Sequence, residues 1–275
     1  MNRLLTFKMY FCRKQIYMKI LLPIICLLFI AYTGNAQKMN WNKNVVIAHR
    51  GAWKKNNLPE NSIASLKEAF RLKCYGSEFD VHLTKDSVIV VNHDATFKGM
   101  TIAQSTYKEL QQQLHTNGEQ IPTLESYLKE GMKQKKTKLI LEIKMAETPE
   151  KTIVLTDAVV NMVKKMKADA WVEYISFSYP AVLRVLELDH TAKTAFLAYL
   201  KGDVAIEKLK ADHITQADYF YTIYKEGNWF KQAQEQGVTI NAWTVNNEED
   251  MKWLLAEKAD YITTNEPELL FSLIR

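Results

Sequence analysis

The first 36 residues contain no acidic residue, and their apolar run is too short to cross a membrane. Five basic residues precede a largely apolar stretch of 13 residues, 20–32, whereas a membrane-spanning helix needs about 20. Small residues follow at Gly34 and Ala36. This order is typical of a secretory signal peptide. It predicts cleavage after Ala36, a periplasmic or secreted protein and no permanent membrane anchor. Met18 is an alternative start, since residues 18–36 alone form a complete signal peptide.

An excess of basic residues is also missing once this leader is set aside. The full chain has 36 basic and 31 acidic residues, and the five basic residues of the leader leave residues 37–275 balanced. A nucleic-acid-binding protein needs a positive field to offset the phosphates. The composition therefore argues against a nucleic-acid partner.

Cysteine is scarce, and this excludes a disulfide framework. Cys12 and Cys26 lie in the leader, so Cys74 is the single cysteine of the predicted mature chain. Stability must therefore come from a hydrophobic core. Residues 37–275 are long enough for one, and their length is close to the roughly 250 residues of a (β/α)₈ barrel. We predict one domain over residues 37–275.

No glycine-rich turn follows the first apolar strand, which ends at Ala48, so a dinucleotide-binding doubly wound sheet is disfavoured. Short apolar runs instead alternate with helical patterns, which is typical of parallel strands joined by helices. The predicted strands begin near residues 45, 77, 139, 172, 193, 217, 238 and 261. A further run at 88–91 reads as a hairpin return, and residues 95–120 read as irregular with one short helix near 107–114. We predict an α/β fold, a (β/α)₈ TIM barrel with a small hairpin-containing insertion after the second strand.

Three acids stand at the carboxyl ends of neighbouring predicted strands, where barrels carry their active sites. Glu78 and Asp80 are two residues apart, so both side chains face the same way, and Glu142 ends the next barrel strand. Clustered carboxylates repel unless a cation lies between them. All-oxygen ligation suits Mg²⁺ or Ca²⁺. We expect one divalent cation here; the alternative is a set of solvated strand-end acids.

Other polar residues at the same predicted rim suit phosphate chemistry. His49 and His93 both follow strands, and histidine can give or take a proton near neutral pH. Arg50 and Lys144 can bind phosphate oxygens, although either could be a solvated strand-end cation. Three further residues have strong structural alternatives. Glu60 and Asn61 could be helix-start residues, with Asn61 or Ser62 as the cap, and Trp243 could be a pocket wall or barrel core.

These residues, in this order, resemble the glycerophosphodiester phosphodiesterase family. The matching motifs are His49-Arg50-Gly51, Pro59-Glu60-Asn61, Glu78-Phe79-Asp80, His93-Asp94, Pro122-Thr123-Leu124-Glu125 and Glu142-Ile143-Lys144. The resemblance covers about residues 45–275. It implies a TIM barrel that hydrolyses glycerophosphodiesters to glycerol 3-phosphate and an alcohol.

The resemblance also implies roles for individual residues. His49 and His93 would be the general acid and base, and the three acids would hold the cation. Arg50 and Lys144 would bind the phosphate. Glu60 would lie in the substrate pocket, and Trp243, from its place at a strand end, is a further candidate for substrate binding. The neighbouring glycerol hydroxyl would be the nucleophile, giving a cyclic phosphate that water opens.

Two stretches depart from the family pattern and leave alternatives open. Residues 95–100 replace an Arg-Thr-Thr stretch, and residues 176–180 lack an aspartate that often follows the fourth strand. Both bear on the alcohol of the substrate. One alternative is a lysophospholipase D-type enzyme with the same catalytic set and an apolar groove, for which candidate walls are Trp53, Phe97, Met100 and Trp229. Another is a catalytically inactive barrel that binds phosphodiesters. Oligomeric state has no signal in the sequence.

Overall fold

The computed structural model of the chain describes residues 39–199 and 204–274. The signal-peptide prediction, residues 1–36 with cleavage after Ala36, lies outside the described residues and stays a prediction. Within the described ranges, no helix combines the length and the apolar character that a bilayer crossing requires.

Eight parallel strands form a closed barrel in the described part of the chain. Closure is evident because the first strand pairs with both the second and the last. In chain order the barrel strands are β1 (Val46–Ala48), β2 (Gly76–Leu83), β6 (Lys138–Ile143), β7 (Val172–Ser176), β8 (Thr194–Ala198), β9 (Gln216–Phe220), β10 (Thr239–Trp243) and β11 (Tyr261–Thr264). The prediction of a (β/α)₈ barrel is confirmed, and each predicted strand lies within about a residue of its observed bounds.

Helices surround this barrel, one after each strand apart from the longer excursion after β2. They are α1 (Ile63–Leu72), α3 (Leu124–Gly131), α4 (Pro149–Met166), α5 (Tyr179–Leu188), α6 (Ile206–Ala211), α7 (Trp229–Gln236), α8 (Glu248–Ala256) and α9 (Pro267–Leu273). Side chains alternate along the strands, so Phe79 of β2 faces outward and stacks on Tyr127 of α3 at 4.3 Å. The main apolar core therefore lies between the barrel and the helices.

The insertion after β2 is more regular than predicted. β3 (Ile89–Val91) pairs antiparallel with β2 as expected, and β4 (Thr96–Phe97) and β5 (Met100–Thr101) form a second small hairpin. A 3₁₀ turn at Ile102–Gln104 leads to α2 (Tyr107–Leu110), which ends earlier than the predicted residue 114. Phe97, Ile102, Leu110 and Ile121 bury together. This small core orders a segment that looks irregular because its apolar residues have no simple period.

The amino end of the barrel is filled by its own side chains. Tyr75 and Tyr261 stack with ring centroids 4.2 Å apart, and inward-facing Ile47, Ile140 and Ile175 pack in the same cluster. The interior is therefore packed with side chains at the amino end of the barrel, and it is open toward the carboxyl ends of the strands.

Candidate active site

Three carboxylates meet at the carboxyl end of the barrel. Glu78 and Asp80 lie on β2, and Glu142 is the register partner of Asp80 on β6. One oxygen from each side chain lies within 4.8 Å of the other two. All three residues are buried, with exposed fractions of 3%, 1% and 8%. The structure brings together the three acids that the sequence grouped.

The cluster is electrostatically unfavourable without a cation. Burial and the neighbouring carboxylates Asp80 and Glu142 raise the pKa of Glu78 well above its usual range. Burial and Asp80 likewise raise the pKa of Glu142 to about 8. Burial acts to raise the pKa of Asp80 too, but Lys144, His93 and a hydrogen bond from Asn61 lower it. Glu78 Oε1 is buried with no hydrogen-bond donor. An all-oxygen donor set with an unpaired buried oxygen fits a hard divalent cation.

Two cationic side chains lie against the acids, as their positions in the sequence predicted. Lys144 Nζ is 2.8 Å from Glu142 Oε1 and 3.3 Å from Asp80 Oδ1. Arg50 donates its backbone N–H to Glu78 Oε2 at 2.8 Å. Its Nη1 donates to Glu60 Oε2 at 2.6 Å, so Glu60 orients the guanidinium at the cavity. Both cations are half-buried and keep part of their surface toward the cavity.

His49 lies directly after β1, held between an amide and the acids. Its Nδ1 is 2.8 Å from Asn265 Oδ1, and its Nε2 is 4.0 Å from Glu78 Oε2. This hydrogen bond assigns the proton to Nδ1 and leaves the lone pair on Nε2. Burial and the charge of Arg50 lower the pKa of His49 to about 4. The imidazole is therefore neutral near pH 7 and able to accept a proton.

His93 lies two residues after β3 and lines the same cavity as His49. Its Nδ1 lies 2.7 Å from Asp94 Oδ1. Its backbone carbonyl is 3.0 Å from Nε2 of His82, a residue that the sequence gave no functional role. His82 thus anchors the loop that carries His93.

The segments that carry Arg50 and Glu60 are locked by close packing. Gly51 has φ of 79°, and a Cβ there would lie 2.4 Å from Ser65 Oγ. Asn61, with φ of 56°, donates Nδ2 to Asp80 Oδ2 at 2.8 Å and accepts from Asp80 N at 3.1 Å. Ser62, and not Asn61, caps α1 by accepting from Ser65 N. Of the two predicted caps, Ser62 is therefore confirmed, and Asn61 does not cap the helix. Asn61 instead fixes the orientation of Asp80.

A cavity of about 280 Å³ opens beside these groups. One wall is polar and consists of His49, Arg50, Glu78, His93, Glu142 and Lys144. The opposite wall comes from β7 to β11 and includes Ile175, Phe177, Leu197, Tyr199, Asp218, Trp243 and Thr263. Trp243 ends β10 and lies where both of its predicted placements meet, since it lines this cavity and also packs against the barrel core. Its Nε1 donates to the backbone oxygen of Asp218 at 2.7 Å.

A second cavity of about 260 Å³ shares Arg50 and His93 with the first. Its remaining lining comes from Glu60 and Asn61 and from the insertion, including Phe97, Lys98 and His115. Of the other residues suggested as walls of an apolar groove, Met100 packs in the core of the insertion and Trp229 packs against Tyr219. These two do not line either cavity.

Two residues of the site escaped the sequence analysis. Asn265, which fixes the ring of His49, follows β11 in Thr264-Asn265-Glu266, where a polar residue after a strand is ordinary. Asp218 lies inside β9, and an acid within an otherwise apolar strand was a usable signal. Burial raises the pKa of Asp218 to about 7, although its hydrogen bond with Asn241 acts to lower it.

The fold and the site together define a class: a (β/α)₈-barrel enzyme whose mouth carries a cluster of acids that could hold a metal ion, with two cationic side chains beside it. The sequence profile of the glycerophosphoryl diester phosphodiesterase family matches residues 49–269. A glycerophosphodiester phosphodiesterase of Caldanaerobacter subterraneus subsp. tengcongensis is 30% identical over 247 residues, which are 85% of this chain and 98% of the relative.

Solved structures show the same relationship. A glycerophosphodiester phosphodiesterase of Parabacteroides distasonis is 38% identical with a TM-score of 0.79, covering 86% of this chain and all of that one. A phosphodiesterase of Oleispira antarctica, solved with its product sn-glycerol-3-phosphate, shares the fold at 22% identity and a TM-score of 0.71, covering 84% and 96% of the two chains. The chain belongs to the glycerophosphoryl diester phosphodiesterase family, and the resemblance found in its motifs is confirmed.

Proposed function

We propose that the protein is an exported, metal-dependent hydrolase that cleaves glycerophosphodiesters to glycerol 3-phosphate and an alcohol. The observation that carries this proposal is the convergence of a cluster of three buried acids, two cationic side chains and two histidines at the barrel mouth, where all of them except Asp80 line one cavity. The activity named for the relatives and the product bound in the Oleispira antarctica structure support the same reaction. The predicted signal peptide supports export.

Arg50 and Lys144 bind the phosphate in this proposal. Both project from the barrel rim beside the carboxylates, and Glu60 holds the Arg50 guanidinium in place. Glu78, Asp80 and Glu142 would hold the divalent cation, which is either Mg²⁺ or Ca²⁺. Such a cation, when bound, offsets negative charge on the phosphoryl oxygens.

The two histidines divide the proton transfers. His49, neutral near pH 7, accepts the proton of the glycerol hydroxyl next to the phosphate as that oxygen attacks phosphorus. His93 donates a proton to the alcohol oxygen as its bond to phosphorus breaks. Water then opens the resulting cyclic phosphate with the two roles reversed. Asn265 and Asp94 keep the rings in the required orientations.

The test is turnover. The protein lacking residues 1–36 is stripped of metal and assayed for glycerol 3-phosphate release from glycerophosphocholine and glycerophosphoethanolamine, with Mg²⁺ or Ca²⁺ restored. We expect cation-dependent release that His49→Ala lowers by at least about 100-fold. His190→Ala is the matched control, because His190 is exposed on the loop after α5.

Other results separate the alternatives. Cleavage of lysophosphatidylcholine but of neither diester would move the assignment to a lysophospholipase D-type enzyme. Binding of both diesters without turnover, with cation bound, would leave the inactive binding barrel. Export is checked on the full chain by the mass of the released protein, which should begin at residue 37.

A further inference from the structure

Asp218 is a buried acid that the proposed chemistry does not use. It lies in the middle of β9, and its exposed fraction is 1%. Asn241, its register partner on β10, donates Nδ2 to Asp218 Oδ1 at 2.7 Å. The same amide nitrogen is 2.8 Å from Thr263 Oγ1 on β11. Three neighbouring barrel strands thus carry a connected polar group in the interior of the barrel.

The surroundings of this carboxyl group are neutral. Aliphatic Ile175 and Leu197 and the ring of Trp243 share its wall of the cavity. Among the described residues no ion pair involves Asp218, in contrast to the acids on β2 and β6. A buried carboxyl group without a cation or a full set of donors is costly. A buried carboxyl group of this kind that lines a cavity is a candidate for binding a ligand.

The position of Asp218 indicates which ligand this is. The cavity that it lines also contains His49, Glu78 and Lys144. A phosphate held by Arg50 and Lys144 would therefore have room for one of its two substituents in the cavity that Asp218 lines. The second cavity, which shares Arg50 and His93, offers a place for the other substituent. The glycerol unit is the part common to every glycerophosphodiester, and a cavity of about 280 Å³ with a buried acceptor on its otherwise largely apolar wall suits a small polyol.

We propose that Asp218 is a specificity residue: its carboxylate accepts a hydrogen bond from the terminal hydroxyl of the glycerol unit. Asn241 holds the carboxyl group through one oxygen and leaves the other to the substrate. Trp243 and Phe177, edge to face at 5.4 Å, contact the carbon skeleton. This inference rests on the proposed function, because it names the contact by which that function selects glycerol.

The test compares two substrates that differ by one hydroxyl. Choline release from glycerophosphocholine is measured beside release from the phosphocholine ester of propane-1,2-diol, which lacks the terminal hydroxyl. We expect wild-type kcat/KM to be about 10- to 100-fold lower on the deoxy substrate, the range for a hydrogen bond to a charged group. Asp218→Ala should lower kcat/KM on glycerophosphocholine by a similar factor. On the deoxy substrate its kcat/KM should be close to that of the wild type, so the effects of the two changes are not additive.

Asp218→Asn keeps the volume and a polar contact to Asn241. It replaces the alanine variant in the assay if that variant does not fold. It should also discriminate less than the wild type between glycerophosphocholine and the deoxy substrate. Glu173→Gln is the control. It changes a buried acid at the opposite end of the barrel, and the ratio of the two substrates should stay at the wild-type value.

The remaining outcomes overturn the assignment of Asp218. Equal losses on both substrates would make the residue structural. Equal wild-type kcat/KM on glycerophosphocholine and on the deoxy substrate would mean that the terminal hydroxyl makes no such contact. Discrimination that instead follows the alcohol, between glycerophosphocholine and glycerophosphoethanolamine, would place the alcohol in this cavity. No wild-type turnover of either glycerophosphodiester is a separate result: it would sink the proposed function, and this inference with it.

Discussion

The two ends of the barrel treat buried acids in opposite ways. At the amino end, Glu173 is 5% exposed and is surrounded by donors. Tyr75 donates its hydroxyl at 2.9 Å, and the Nζ atoms of Lys138 and Lys193 lie 3.6 and 3.5 Å away. At the carboxyl end, Glu78, Asp80 and Glu142 crowd one another, and Glu78 Oε1 has no donor.

This difference separates a structural acid from a binding one. Glu173 has its countercharges within the fold, so the fold needs nothing from outside. The three acids at the carboxyl end have Lys144 and Arg50 beside them, and the pKa values of Glu78 and Glu142 are still raised. Burial of an acid alone therefore does not indicate a binding site. Burial without enough countercharge does.

The largest expected effect is on turnover. Glu78→Gln, measured by steady-state hydrolysis of glycerophosphocholine at saturating cation, should lower kcat by about 10³-fold, the several kcal/mol that cation positioning supplies. Glu173→Gln should leave kcat close to wild type because it lies at the other end of the barrel. Comparable losses in both variants would mean that the two ends do not differ as described.

The next effect is on stability and concerns the amino end. Glu173→Gln leaves Lys138, which is 6% exposed, without its buried countercharge. Breaking such a pair costs about 3 kcal/mol, which lowers Tm by roughly 10 °C in a chain of this size. Thermal unfolding followed by circular dichroism measures it. An unchanged Tm would contradict this. It would show that solvent satisfies Lys138, and Tyr75 the introduced amide, as well as the Glu173 carboxylate does in the wild type.

The pH dependence of stability should distinguish the carboxyl end. Without metal, Glu142 has a pKa of about 8 against an ordinary 4.5. The contribution of Glu142 to the free energy of unfolding is therefore fully present below pH 4.5, and it is lost as the pH rises through 8. Between pH 6.5 and 8, the stability of Glu142→Gln relative to wild type in chelator should increase by up to about 1.4 kcal/mol per pH unit.

This difference between variant and wild type reports on the acid cluster, because Glu142 also raises the pKa of Glu78. The pKa of His49 is lowered to about 4, so that group contributes at lower pH. Saturating Mg²⁺ or Ca²⁺ should remove the difference by stabilising wild type alone. A constant difference across this pH range would contradict the raised pKa of Glu142.

The smallest effect has the opposite sign to that at Glu173. Glu78→Gln removes one negative charge from the cluster and keeps an acceptor for the Arg50 backbone N–H. In chelator at pH 8 it should raise Tm by a few degrees, corresponding to about 1 kcal/mol. A decrease in Tm would mean that the acids are already balanced by Arg50 and Lys144.

Much of the fold was predictable because barrel strands and helices alternate with clear apolar patterns. α4 (Pro149–Met166) and α8 (Glu248–Ala256) have the bounds that the sequence indicated, with a cap and acidic residues at each start. The insertion was harder. The β4–β5 hairpin is two residues per strand, too short for alternation to identify. Its core forms only when Phe97 and Ile121 meet in the folded chain.

The site was predictable where a residue stands at a strand end in a recognisable motif. Glu78, Asp80, Glu142 and both histidines converge as expected. Residues that act through others were not predictable in this way. Asn61 fits a helix-capping pattern equally well, and its bond to Asp80 depends on how α1 returns to the barrel. Asn265 meets His49 across 216 residues of chain, a contact set by barrel closure.

The contact between Gly51 and Ser65 restricts how this protein can change. A Cβ at position 51 would lie 2.6 Å from the Cβ of Ser65, and the positive φ of Gly51 disfavours any larger residue. Substitution there would push α1 outward and carry the adjacent His49 and Arg50 with it. In a library of random variants, tolerated changes at position 51 should therefore be almost absent, and those at position 65 confined to small residues. The loop and the helix thus behave as one mutational unit, so new substrate preferences must arise elsewhere, in the insertion or on the β7–β10 side of the barrel.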